Sequence, residues 1–341
     1  MSRVFIVGHG AVSPAGWGVP PLRDALRKNE AISTKELERP GWDRPLRVRQ
    51  VPSPASRPLF LSHARLRRAS SLTQYAVAAG LEALGVDAAK VTSGSLRLGI
   101  ILCVMTGCVN YSRRFYSEVL HEPATASPIL FPETVFNAPA SHLAALLGTA
   151  AINYTLVGDP GMFLSGLAVA ADWLAGERVD GCLVIGAEEI DWVTADAHRL
   201  FDRRTFLSEG AGALYLQGDR ASEPAVDLRS ITPAYSYSKR QNRFQAARLV
   251  RAALPAHQDG QLLCDSTKNS SKLDAAELTA WEDWRGPRLS PKNILGEGLS
   301  AASAWQCVIA TDALQHRLYT GANVSVVGCN QQAIGAHFSL A

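Results

Sequence analysis

An α/β protein, with parallel sheets covered by helices, is what the sequence predicts, on three observations. The middle of the chain alternates between the two-residue period of strands and the 3.6-residue period of helices. The alternation starts afresh after Glu223 and Pro224, so the chain reads as two α/β halves of unequal length, residues 1–220 and 221–341. With 341 residues, 47% of them hydrophobic and only 19% charged, the chain can bury a large core and has no disordered composition.

The elements follow in order. Val4 to Val7 is an apolar strand that feeds a glycine-rich turn from Gly8 to Gly18, and a helix follows near Pro21 to Arg27. The stretch from Glu36 to Arg57 is polar and rich in Pro and Arg, and it reads as a surface excursion. Ser71 to Leu84 carries small and apolar residues at helical spacing, which predicts a helix packed closely inside the molecule. Next come strand 97–104, helix 139–147, strand 153–157, helix 164–175, strand 181–185 and strand 211–217. The second half reads as strand 225–231, helix 240–253, strand 261–264, helices 273–280 and 298–314, and strand 323–328.

Composition narrows the function. A net charge of +3 provides no general attraction to nucleic acid or to a membrane surface, so an electrostatic partner needs a local patch. The most apolar run, Leu98 to Val109, is too short for a transmembrane helix and reads as a buried strand. The opening MSRVFIVGHG has no basic leader before an apolar core, so a cytoplasmic location is expected. Six cysteines (Cys103, Cys108, Cys182, Cys264, Cys307, Cys329) form no CxxC pair, and they are expected as reduced core thiols with no metal. His142 and His337, beside apolar residues, are expected as hydrogen-bonded core groups, and His9 in the opening turn.

Five segments, in order, resemble the β-ketoacyl synthase family: VFIVGHGAVSPAGWG (4–18), LSHARLRRASSLTQYAVAAGLEAL (61–84), LVIGAEE (183–189), FDRRTFLSEGAGALYL (201–216) and SPKNILGEGLSAASAW (290–305). The resemblance implies a thiolase-like αβαβα sandwich of two similar halves, dimeric, with the site where the halves meet. Glu189 and Phe201 lie closer together than in the family, which implies a missing loop near the substrate channel.

A ketosynthase needs a cysteine thiolate at a helix N-terminus, where the dipole lowers its pKa, and two histidines that donate to an enolate oxygen. The resemblance puts the nucleophile at Pro160, within GDPGMFLSG, and a shifted register offers only Gly161, Met162 or Phe163. Ser165 is the nearest hydroxyl, expected one turn into the helix. Pro160 suits a first helical turn, with Asp159 as its N-cap. The first histidine position falls on Asp265 or Ser266, followed by matching Asp274 and Glu277, and the second falls on Glu297. Lys292 is retained, and it is expected to form a buried ion-pair network with Glu297 and Asp265. The family's glycine-rich gate is replaced by VVGCNQQAIGAHF, so Met162, Phe163, Asn330, Gln331 and Gln332 are expected along an altered or closed channel. Cys108 is placed by the resemblance in a loop toward a dimer interface.

Basic residues recur at Arg65, Arg67, Arg68, Arg113, Arg114, Lys239, Arg240 and Arg243. They read either as solvated surface or as a patch for an acidic acyl carrier protein, whose phosphopantetheine is the one prosthetic ligand implied; no cofactor of the chain's own is expected. Two functions stay open. One is a subunit resembling chain-length factors, inactive alone and paired with an active ketosynthase in fatty acid or polyketide (polyene-type) biosynthesis, or with itself. The other is a divergent acyl-thioester enzyme, an acyltransferase or hydrolase, with Asp265 and Glu297 as acid and base.

Overall fold

The opening strand, β1 (Phe5–Ser13), is longer than its apolar residues suggest, because the glycines expected to turn the chain instead continue it. A Cβ on Gly8 would lie 2.0 Å from the carbonyl oxygen of Ala83, and one on Gly10 would lie 2.1 Å from that of Ala79. Both contacts come from helix α2 (Ser71–Leu84), which lies directly on the strand, so the glycines serve close approach. His9 therefore sits in the strand, with Nε2 3.3 Å from Asp312 Oδ1.

The computed structural model describes residues 3–218, 226–256, 258–329 and 331–341. The boundary expected between residues 220 and 221 lies outside the described residues.

Five main strands run through the first part of the sheet, β1, β2 (Leu98–Val104), β3 (Ile152–Val157), β4 (Gly181–Glu188) and β5 (Gly210–Gln217), in the order β3-β2-β4-β5-β1, with the two-residue strand Gly16–Trp17 added on β1. The second part comprises β6 (Val226–Ile231), β7 (Gln261–Cys264), β8 (Arg288–Leu289), β9 (Gly321–Val327) and β10 (Gln332–Leu340), in the order β8-β7-β9-β10-β6. The strand order repeats, and so does its polarity. The second strand of each part is parallel to the third and fourth, and the fifth is antiparallel to the fourth and first. The sheet is thus mixed, not purely parallel. β1 and β6 pair antiparallel and join the parts into one sheet.

The helices include α1 (Val19–Lys28), α2, α3 (Val109–His121), α4 (Ala138–Leu146), α5 (Met162–Ala175), α6 (Trp192–Phe201), α7 (Arg240–Ala253), α8 (Ser271–Ala280), α9 (Pro291–Leu295) and α10 (Ser300–Gln315). α2 and α4 cover one face of the first part, α7 and α8 cover the second, and α5 and α10 lie between them. This is the five-layer αβαβα sandwich that the resemblance implies. α10 is buried from Ser300 to Leu314, Gln306 and Asp312 included, and a helix with no solvent-facing side must be enclosed. Trp305 is fully buried at its centre and donates through Nε1 to the carbonyls of Val12 (3.1 Å) and Ala211 (2.9 Å).

Four departures from the sequence reading bear on the site. The Glu36 to Arg57 excursion folds a hairpin, Lys35–Leu37 with Leu46–Val48, whose Leu46 and Val48 pack with Ala195 of α6. α3, which follows the buried Cys108, and α6 were not anticipated. α6 occupies the stretch read as missing a loop, and it starts on a capping box at Asp191 and Thr194. The strand read as 323–328 ends at Val327, and β10 runs through the segment read as a gate.

Candidate functional site

Beyond the ends of the central strands the two parts of the sandwich enclose a cavity of about 480 Å³. Its wall takes Met105 and Thr106 after β2, α6 with the segment after it, Ser266 and Lys268 after β7, and Lys292 and Glu297 around α9. Gly328 and Cys329, between β9 and β10, close it.

Buried carboxylates shape this region by accepting backbone N–H groups that water cannot reach. Glu188 accepts from Met105 N (2.5 Å) and from Thr106 N (3.1 Å) and Oγ1 (2.5 Å), holding the loop that lines the cavity. Glu189 accepts from Leu72 N and Asn110 N, in the first turns of α2 and α3. Glu209 accepts from Val51 N, Ile190 N and the Tyr75 hydroxyl. The acidic residues of the LVIGAEE and LSEGAG segments thus anchor loops.

The floor is an ion-pair network. Lys268 Nζ lies 2.9 Å from Glu297 Oε2 and 3.7 Å from Asp202 Oδ2, and Lys292 Nζ lies 3.0 Å from Glu297 Oε1. Leu299 N donates to Glu297 Oε1 at 3.0 Å. All four charged side chains are buried, with exposures of 8% or less. Burial opposes the charge on Glu297, but the two ammonium groups outweigh it and hold the carboxyl far below its ordinary range. Lys268 is likewise held well above its ordinary value, since Glu297 and Asp202 outweigh its burial. Two cations and two anions close on one another.

Asp265, expected in this network, is elsewhere. Its Oδ2 lies 3.2 Å from Arg288 Nε, and its Oδ1 accepts from Ser290 Oγ (2.6 Å) and from Thr267 Oγ1 (2.7 Å) and N (3.0 Å). Of the two residues proposed for the first histidine position, Ser266 lines the cavity and Asp265 does not. Asp265 and Glu297 therefore do not form the joint acid/base pair expected of them; Lys268 and Asp202 complete the network instead. Ser266 Oγ donates to Glu277 Oε2 at 2.5 Å, and Ser325 Oγ donates to Glu277 Oε1 at 2.5 Å. With no cation among these partners, burial pushes Glu277 up to about 7.

At the tip of α5, Pro160 is buried and its carbonyl accepts from Ser303 Oγ at 2.6 Å. Asp159 does not cap the helix, whose N-cap is Gly161. Its carboxylate reaches sideways and accepts from Cys329 N (2.9 Å), Gln331 N (3.2 Å) and Gln332 N (3.2 Å), tying the former gate segment to the helix tip. Gly328 is required beside it, since a Cβ there would lie 1.7 Å from Asp159 Oδ2. Gln332 Nε2 contacts Met162 Sδ at 3.5 Å, and Phe163 is fully buried in the core. Met162, Phe163, Gln331 and Gln332 thus line no part of the cavity, contrary to expectation, and Asn330 lies outside the described residues. Ser165 is half-buried on α5 and is also absent from the wall.

Besides Lys268 and Asp202 of the network, sequence reasoning missed the placing of three further wall residues. Cys329 is half-buried on the cavity, whereas the other five cysteines are buried. Burial and then the Glu297 carboxylate push its thiol up to about 12, which keeps it protonated. His198 of α6 faces the same space, and burial lowers its pKa. Arg243, read as surface charge, lines the cavity as well. Only the gate motif marked Cys329 in advance; nothing local marks the other two. His142 pairs with Glu133 at 3.0 Å, and His337 Nδ1 lies 2.9 Å from Asn323 Oδ1.

Of the basic residues, Arg65, Arg67, Arg68 and Arg114 share a groove of about 550 Å³ with Ile129 and Leu130. Arg113 is turned away, with Nε 2.5 Å from Asp191 Oδ2. Among the described residues, no cluster of three or more His, Cys, Asp or Glu could hold a metal, and no helix is long and apolar enough to cross a membrane.

No family model matches the sequence, and no curated protein does. Solved structures do match in fold. The ishigamide ketosynthase/chain length factor superposes with a TM-score of 0.79 at 19% identity, covering 99% of each chain. The ketosynthase ApeO in complex with its chain length factor ApeC, from Xenorhabdus doucetiae, gives 0.79 at 15% identity over 100% of this chain and 98% of that one. AntDE:AntF, a type II PKS acyl-carrier protein in complex with its ketosynthase bound to the hexaketide, gives 0.80 at 15% identity over 100% and 99%. At these identities the likeness is one of fold: the chain has the thiolase-like fold of ketosynthases and chain length factors.

Proposed function

We propose that the chain is a chain-length-factor-like subunit, without condensing activity of its own, that pairs with an active ketosynthase and serves an acyl carrier protein in polyketide or fatty acid assembly. The observation that carries the proposal is the closed Lys268–Glu297–Lys292 network at the place the family resemblance gives to a histidine. A carboxylate held between two ammonium groups accepts hydrogen bonds, whereas an enolate oxygen needs donors. Pro160 at the helix tip supports the same reading, since it has no nucleophilic atom.

Pairing is supported by the edge strand β3. Among the described residues it ends the sheet and pairs only with β2, and it leaves Ile152 47%, Tyr154 52% and Val157 50% exposed. An apolar edge with free backbone groups is a template for another chain. α3 and the segment after it add exposed Tyr116, Leu120, Ile129, Phe131 and Phe136. Carrier docking is supported by the arginine groove, where a phosphopantetheine-bearing acidic partner would be steered. The matching assemblies of a ketosynthase with a chain length factor and with a carrier protein agree with both contacts.

The experiment is co-expression with an intact Cys-His-His ketosynthase from the same source. The pair is expected to co-purify and to extend a carrier-bound acyl chain that this chain alone leaves unchanged. Chain extension by the isolated protein would refute the proposal.

A further inference from the structure

We infer that the face built by helix α6 and the turn of the hairpin beside it docks on an anionic phospholipid surface, with Trp42, Val193 and Leu200 entering the headgroup layer and Arg47, Arg199 and Arg203 holding lipid phosphate. The inference goes beyond the subunit reading above and does not rest on it.

The amphipathic pattern of α6 is turned inside out. A surface helix normally buries its apolar stripe and exposes its polar side. In α6, Val193, Ala197 and Leu200 follow one another at helical spacing and are all exposed, Val193 at 43% and Leu200 at 76%, with the exposed Phe201 at the end of the helix. Ala195, on the opposite side, is buried against Leu46 and Val48 of the hairpin, and the polar Thr194 and His198 are half-buried. Trp42, in the turn of that hairpin, is 63% exposed. The Arg39 guanidinium stands 3.7 Å from the Trp42 ring centroid, and its Nη2 lies 2.5 Å from Asp196 Oδ2 of α6. Asp196 lies one turn from Val193 and Leu200, so this bridge presents the tryptophan and the helical stripe side by side.

Charge selects the occupant. Arg47, Arg199 and Arg203 converge with Thr205 and Phe206 on a pocket of about 250 Å³ beside this surface, and no carboxylate is among the described residues that line it. Arg44 and Arg204, each next in sequence to a residue of the pocket wall, are exposed as well. Of the acids in the same segments, Asp196 is paired with Arg39 and Asp202 with Lys268, which leaves these five arginines in excess over the exposed Glu38 and Asp43. Arginines alone suit any anion, and exposed apolar side chains alone suit any apolar partner. Together, a tryptophan and aliphatic side chains rimmed by unpaired arginines match the layers of a bilayer surface, where phosphate lies above hydrocarbon.

The test is co-sedimentation of the purified full chain with vesicles of phosphatidylcholine and with vesicles in which about one third of the lipid is phosphatidylglycerol. Binding to the anionic vesicles should be at least about tenfold tighter at low salt and should fall steeply as salt is added. Trp42→Ser with Leu200→Ser, and separately Arg199→Glu with Arg203→Glu, should each lose at least about tenfold in vesicle affinity. All four side chains are exposed, and thermal unfolding checks that the variants stay folded. Equal binding to neutral and anionic vesicles, no binding to either, or undiminished binding by either folded variant would overturn the inference. Without vesicle binding, dissociation of an oligomer by the Trp42→Ser and Leu200→Ser pair would assign the face to a second copy of the chain, and weakened carrier-protein binding by the Arg199→Glu and Arg203→Glu pair would assign it to a carrier; each would overturn the inference too. The vesicle arms need no variant, no ketosynthase and no carrier protein, so this inference and the subunit proposal fail independently.

Discussion

Lys268 Nζ lies 2.9 Å from Glu297 Oε2, at the floor of the cavity between the two parts of the sandwich. The two residues are far apart in sequence and belong to different loops, one after β7 and one after α9. Lys292 approaches the other oxygen of the same carboxylate at 3.0 Å. The two ammonium groups hold the Glu297 carboxylate ionised, and Glu297 with Asp202 holds Lys268 charged, so removing Glu297 would leave two buried cations with only Asp202 to offset them. The network therefore stabilises a geometry, with its central carboxylate far from exchanging a proton at neutral pH.

Glu297→Gln should destabilise the chain by about 3–5 kcal/mol at pH 7, the cost of breaking a buried pair. The sign with pH is fixed. The folded Glu297 has a lowered pKa, so its contribution is full above the unfolded value of 4.5 and is lost as pH falls below it. Urea unfolding of both proteins at pH 7 and pH 4 should show the gap narrowing on acidification.

Glu277 should behave in the opposite sense. Its folded pKa is raised from 4.5 to about 7, so the folded state binds more protons than the unfolded state in that interval. Its stabilising contribution is present below 4.5 and lost as pH rises through about 7. Relative to Glu277→Gln, the wild type should lose stability between pH 5 and pH 8, measured by thermal unfolding across that range.

Ile152→Lys and Val157→Lys on the edge strand should abolish assembly, either with a ketosynthase or between copies of the chain. Both side chains are about half exposed, so the monomer's stability should change by no more than about 0.5 kcal/mol. Size-exclusion chromatography with light scattering checks the first effect, and thermal unfolding checks the second.

Reversing Arg65, Arg67 and Arg68 together to Glu should weaken carrier-protein binding at least about tenfold at low salt, with the difference shrinking as salt is added. Arg113→Glu, whose native side chain is held by Asp191, should damage α6 and leave carrier binding less affected. Surface plasmon resonance at two salt concentrations separates these effects.

Most of the fold was legible because its signals are local. The helix over Ser71 to Leu84 and the strand over Gln261 to Cys264 fall where the periodicity puts them. Gly8 and Gly10 misled because a glycine demanded by a helix packed on the strand looks, in sequence, like one demanded by a turn. β10 was hidden by its polar approach, since Gln331 and Gln332 break the apolar alternation that resumes at Ala333. Within the site, Lys292 and Glu297 lie five residues apart in one motif and were visible as partners. Lys268 and Asp202 were not, because nothing local records a pairing that only the stacked halves create. Asp265 was misassigned for a related reason: it alternates with Ser266 on the segment leaving β7, and only one of the two can face the cavity.

The central claim is that this chain carries no acyl group through a catalytic cycle. Intact-mass spectrometry after incubation with an acyl-loaded carrier protein tests it directly. The account predicts an unshifted mass for this chain and an acyl adduct on the cysteine of the co-purified ketosynthase. A stoichiometric acyl adduct on this chain, mapped to Cys329 or Ser165, would contradict it.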